Sequence, residues 1–262
     1  MTLPSLFVSH GSPMHALEPG AAGAVWKSLG ERLGKPEAIL IASAHWETLE
    51  PTLTGSDQPE TIHDFSGFPD PLYRIRYAAR GAPALARRAK TLLGEAGFAA
   101  AIDEQRGLDH GAWVPLLHAR PAADVPVLQI SVQAARTARH HLALGAALAP
   151  LADEGVLVVG SGHMTHNLRD WMMGAQGHPI PPYAREFQSW VEARIAAQDL
   201  EALAEYRGRA PHGLRAHPSE EHFLPLFVAL GAAGARWRPE RLLDEILGGV
   251  LAMDAYLFHR VN

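Results

Sequence analysis

Ile39-Leu40-Ile41-Ala42-Ser43-Ala44-His45-Trp46 sets the fold class. Its apolar residues run on without alternation, as in a strand buried on both faces of a parallel sheet. The run then narrows to small residues and ends at a histidine. Three further runs read the same way: Ser5 to Ser9, Val125 to Val132 and Val156 to Gly160. Between them the apolar period lengthens to that of a helix. Gly23 to Leu33 aligns Val25, Leu29 and Leu33, and Pro83 to Gly97 carries Leu85, Ala89 and Leu92 between a proline start and a glycine stop. Thr137 to Leu151 sets a capping residue ahead of Leu142, Gly145 and Leu148. Tyr183 to Tyr206 reads as one long helix, and Val250 to Phe258 as a late strand at a sheet edge. Such alternation predicts an α/β fold. The expectation is one domain over 1–262, with a central largely parallel or mixed sheet flanked by helices. Ligand sites then fall at the C-terminal ends of the strands.

The chain has 262 residues, 47% hydrophobic and 19% charged, as in an ordinary globular protein. A net charge of −5 without a basic run argues against nucleic acid and anionic membranes as partners. With no cysteine, disulfides and thiolate ligands drop out, so a metal must be held by imidazole, carboxylate or water. Met1-Thr2-Leu3-Pro4 enters a strand without the basic region and long apolar core of a signal peptide. No apolar run nears the ~20 residues of a membrane span. The expectation is a cytoplasmic protein, its oligomeric state open, a homodimer included.

Fifteen histidines is a high count. Six of them, His118, His140, His141, His178, His212 and His259, read as solvated or hydrogen-bonded side chains, with His140 and His141 on a surface helix. His10 and His45 differ, because each closes an apolar run through small residues. If their strands are neighbours, the strand ends lie ~5 Å apart, and both imidazoles reach one ion at ~2.0–2.1 Å. Gly11 and Ser12 let the chain turn after His10. His163 and His166 follow Val156 to Gly160 at a spacing that shares one face of a helical turn. The polar neighbours Thr165, Asn167 and Arg169 favour His166. His222 stands beside Glu221 near a helix start signalled by Pro218 and Ser219, although Pro225 leaves the exact start open. Adjacent helical residues point ~100° apart, so one of the pair binds directly and the other orients it. His110, between Gly107 and Gly111, is either a general base or substrate partner, or an Asp-His surface turn.

Taken together, these segments resemble the class III extradiol ring-cleaving dioxygenases, and within them the 4,5-DOPA extradiol dioxygenase group. The likeness runs from Leu6 to about Ala233. It rests on His10-Gly11-Ser12-Pro13, Ser43-Ala44-His45-Trp46, Ile62-His63-Asp64-Phe65 with Gly67-Phe68-Pro69, Asp109-His110-Gly111, His166-Asn167-Leu168-Arg169, and Glu221-His222 with Leu224-Pro225-Leu226. The order and combination are specific where each motif alone is weak. The resemblance implies a metal bound at His10, His45 and His222, with His166 as acid/base and, in zinc-filled members, a fourth ligand. It also implies that His110 lines the pocket. Related protocatechuate-type enzymes use two histidines and a glutamate, which sets Glu221 beside His222 as a rival third ligand.

The residues suit that chemistry independently. A facial three-ligand site on non-haem Fe(II) leaves positions for a catechol and O2, and a nearby imidazole can take a catechol proton and return it. His166 is the first candidate for that shuttle and His110 the second. Zn(II) can occupy the site in a purified sample, because nitrogen sites bind it more tightly than Fe(II). The rival enzyme is a zinc hydrolase using metal-bound hydroxide. A closed structural four-histidine zinc site is a third reading, weakened by the lack of cysteine. Pro51 to Pro83, ordered by its aromatics, and the polar, irregular Arg207 to Ser219 read as loops that set the ring substituent, with Arg74, Arg76 or Arg215 either carboxylate partners or solvated surface arginines.

Overall fold

The computed structural model describes residues 2–261. Its strands are β1 (Ser5–Ser9), β2 (Ala38–Glu47), β3 (Thr52–Thr54), β4 (Ala101–Asp103), β5 (Val127–Val132), β6 (Val156–Gly162), β7 (Trp237–Leu243), β8 (Ile246–Leu247), β9 (Leu251–Ala252) and β10 (Ala255–Arg260). Eight form one sheet in the order β4-β3-β5-β2-β6-β1-β10-β7, while β8 and β9 form a separate antiparallel pair. The central four, β5-β2-β6-β1, are all parallel. Their C-terminal ends therefore share one edge. β10 runs antiparallel to both β1 and β7, and β3 antiparallel to β5, which makes the sheet mixed.

β1, β5 and β6 are buried at every position, the reason their sequences do not alternate. Successive residues still face different layers. Val8, Ile41 and Val159 pack with Trp26 and Leu29 of the helix Gly20–Arg32 and Trp113 of the helix His110–Ala119. On the other face, Leu40, Ala42 and Val158 meet Ala89, Leu144 and Val228 from the helices Pro83–Glu95, Ala138–Leu148 and Leu224–Ala232. Phe7, Tyr256 and Phe258 pack with Phe187 and Phe227. Each such side chain contributes about 1.5–3 kcal/mol on burial.

Three expectations need correction. The long helix from Tyr183 stops at Ala196, Gln198 takes φ +54, and the Asp199 side chain caps a new short helix, Leu200–Ala204. Local capping chemistry overrides the apolar period there. The late strand is β9 and β10 in turn, and β10 lies between β1 and β7 rather than at the edge. The edge is β7, whose arginines, Glu240 and Pro239 discourage further pairing. His141, expected on a surface helix, is fully buried, with Nε2 accepting from the Gln133 N–H and Nδ1 on the Thr137 carbonyl. Thr137 does cap that helix, by accepting from the His140 N–H.

A candidate metal centre at the strand ends

β1 and β2 are not neighbours, because β6 runs between them. The two imidazoles nevertheless meet, their Nε2 atoms 3.0 Å apart. β6 allows this because its last residues, Gly160-Ser161-Gly162, are small. Ser161 lies level with both Val8 and Ser43, so the two longer side chains close above it. His10 directly follows β1, and His45 lies within the end of β2, where pairing with β5 slips between Ala42 and Glu47.

His222 comes from the turn before the helix Leu224–Ala232, with its Nε2 3.3 Å from that of His45. Pro225 sits in the first turn of that helix, where its missing N–H costs nothing. Gly162 is required there: a Cβ would collide with the His222 carbonyl. The three nitrogens of His10, His45 and His222 lie within 4.8 Å of one another.

Hydrogen bonds fix the tautomers. Ser161 Oγ donates to the Gly111 carbonyl, so at 3.1 Å it accepts from His10 Nδ1. Glu221 Oε1 stands 2.9 Å from His222 Nδ1, and Asp64 Oδ2 stands 3.5 Å from His45 Nδ1. His10 and His222 therefore carry their protons on Nδ1, the nearby Asp64 carboxylate favours the same tautomer in His45, and the three Nε2 atoms face one another. Burial lowers His10 and His222 well below the ordinary histidine range and His45 to about 3, with neighbouring imidazoles adding to the effect, so the rings are neutral. Three converging lone pairs repel unless a cation lies between them. The all-imidazole donor set, each ring oriented through its other nitrogen, fits a divalent ion such as iron or zinc.

His110 opens the helix His110–Ala119, which Asp109 caps. Asp64 accepts both its backbone N–H and its Nδ1–H, each at 2.9 Å, leaving Nε2 as the free nitrogen. The ring centroid is 3.9 Å from that of His45. Burial pushes the Asp64 carboxyl upward, but the hydrogen bonds from His110 outweigh it and hold the group below the carboxylate range. Beneath them Asp109, fully buried, accepts from Ser43 Oγ at 2.6 Å and Arg106 Nη2 at 3.2 Å. Arg106 also reaches the His45 carbonyl at 3.3 Å.

His166 lies in the turn between β6 and the helix Leu168–Ala175, not on a helical face. It stacks on His222 with centroids 3.5 Å apart and planes 10° from parallel. One ring nitrogen of His166 lies within 4.8 Å of a His222 nitrogen and a Glu221 carboxylate oxygen, so His166 flanks the three-nitrogen centre. Burial, with a smaller effect from the nearby His110, lowers it to about 4. Arg76 is spent on the carbonyls of Tyr73 and Ile75, and Arg215 pairs with Asp170 at 2.8 Å. The residues that sequence reasoning left without a role here are Ser161 and Arg106. Asp64 and Asp109 appeared there only inside motifs. No periodicity marks them, since each acts across the fold.

The chain matches the family model for the catalytic LigB subunit of aromatic ring-opening dioxygenase over residues 4–253. It is 43% identical to a 4,5-DOPA dioxygenase extradiol of Beta vulgaris, across 97% of this chain and 96% of that one. It is 40% identical to the protein of that name from Escherichia coli K12, across 88% and 85%. An uncharacterized Escherichia coli K12 protein of known crystal structure superposes with a TM-score of 0.81 at 33% identity, across 97% of this chain and 99% of that one. The zinc-hydrolase reading is not favoured by these relatives. With its histidine centre at the strand ends and this kinship along nearly its whole length, the chain belongs to the LigB family of aromatic ring-opening dioxygenases and is an extradiol, catechol-cleaving enzyme.

Proposed function

We propose that the chain is one catalytic domain that opens a catechol of the DOPA type with O2, using Fe(II) held by His10, His45 and His222. The observation that carries this reading is the convergence of three bare Nε2 atoms. Their Nδ1 partners are Ser161, Asp64 and Glu221. A bound ferrous ion supplies open coordination positions and acidifies a catechol hydroxyl by charge stabilisation. The His45 side chain is 23% exposed, so the cluster can be reached from solvent.

The chain's own groups do the remaining work. His166, neutral and stacked beside His222, accepts a hydroxyl proton and returns it after ring opening. His110 offers its free Nε2 from the side of His45 and orients the diol by hydrogen bonding. Glu221 acts through His222 rather than on the ion. The half-buried Phe65, its ring 5.8 Å from His110 and edge-on to it, provides an apolar wall for an aromatic substrate. Zn(II) taken up during purification gives a filled but inactive site. A cytoplasmic location is part of this proposal; no helix among the described residues is long and apolar enough to cross a membrane.

Anaerobic loading with Fe(II), followed by a panel of catechols with and without O2, tests the reading. A yellow ring-opened product should form from a DOPA-like catechol only when O2 is admitted. Absence of any ring-opened product from Fe(II)-loaded protein, or turnover without O2, would refute it.

A further inference from the structure

His163 is the buried histidine of this region that ring cleavage leaves unused. It is 2% exposed. Its backbone N–H donates to the His222 carbonyl at 2.7 Å, and its ring Nε2 reaches the Gly11 carbonyl at 3.3 Å. The preceding residue, Gly162, accepts the His10 N–H at 3.0 Å. Two ligand segments more than two hundred residues apart in sequence are thus tied to one point at the end of β6. The ring also meets that of His10 edge-on, with centroids 5.0 Å apart at 87°.

Donation to a carbonyl requires the proton on Nε2. That leaves Nδ1 as a bare acceptor, and it has no hydrogen-bond partner although it is buried. A position selected for packing alone would take an apolar side chain and avoid the unmet acceptor. Gly11 needs the help. It sits at φ +71, a Cβ there would collide with the His15 ring, and its carbonyl orients the Gly11–Ser12 peptide in the turn directly after His10. We propose that the His163 ring is a positioning group, holding the Gly11 carbonyl, while the backbone N–H of the same residue holds the His222 carbonyl, so that His10 keeps its place beside His222 on one cation. The inference rests on the metal-centre reading above.

The test compares His163→Gln, whose amide N–H reaches the place of Nε2, with His163→Met, similar in length and without a donor. Zn(II) affinity is read by chelator competition, without substrate, so the result stands apart from whether ring cleavage is found. The Met variant should bind Zn(II) about 10–100-fold more weakly, while the Gln variant stays near the native value. The metal-free forms should unfold at similar denaturant concentrations, since a purely structural role would shift that midpoint and leave affinity alone. Native affinity in the Met variant, or equal losses in both, would overturn the proposal. If the Met variant does not fold, ¹⁵N NMR of the native protein decides: His163 should show a protonated Nε2 and a bare Nδ1, and the opposite tautomer overturns it.

Discussion

Glu221→Ala removes the carboxylate from behind His222 while leaving that ligand in place. The contact is 2.9 Å long, with the Glu221 side chain 16% exposed and that of His222 7%. A hydrogen bond to a charged partner contributes about 1.5–3 kcal/mol, and every 1.4 kcal/mol is tenfold in affinity. Loss of this bond should therefore weaken metal binding by about 10–150-fold, toward the lower end because water can partly replace the carboxylate. Ser161→Ala supplies an internal comparison. It removes a neutral contact of 3.1 Å to His10 Nδ1, about 0.5–1.5 kcal/mol, or about 2–12-fold. Chelator competition with Zn(II) on metal-free protein gives both constants. The expected order is native tightest, Ser161→Ala next and Glu221→Ala weakest. Equal affinity in native and Glu221→Ala protein would refute the claim that Glu221 serves the centre through His222.

His10→Ala or His45→Ala should strip most of the bound metal, as measured by elemental analysis of purified protein; full metal content in either contradicts its place as a ligand. His166→Ala should lose turnover far more than catechol binding, which stopped-flow rates and anaerobic titration separate; unchanged turnover removes it as the proton shuttle. Buried His141 and His217 are lowered by burial to about 4 and about 3. The unfolded chain keeps their ordinary value near 6.5 and so binds protons that the folded chain refuses. Their contribution is complete above pH 6.5 and is lost as pH falls, by up to about 1.4 kcal/mol per pH unit for each. Denaturant midpoints of metal-free protein between pH 7 and 5 check this, and a flat or rising midpoint on acidification would contradict it.

The parallel centre was legible in the sequence because burial on both faces leaves an unbroken apolar run, as in Ile39-Leu40-Ile41-Ala42. β3 and β4 were not, since three residues each are too few to show a period. His10, His45 and His222 stood out by their setting, and the structure brings them together. How they meet was not readable. The neighbour geometry assumed for β1 and β2 fails, and only the small residues of β6 make the approach possible. The supporting shell was hidden for the same reason. Ser161, Asp64 and Arg106 act through contacts set by topology, whereas a strand or helix signal is local.

X-ray absorption at the metal edge of anaerobic, Fe(II)-loaded protein addresses the centre most directly. The outer-shell scattering should fit three imidazoles, from His10, His45 and His222, with the remaining positions held by light non-protein ligands. Four imidazoles would draw His166 into the coordination sphere, and two or fewer would dissolve the facial triad; either result contradicts the assignment.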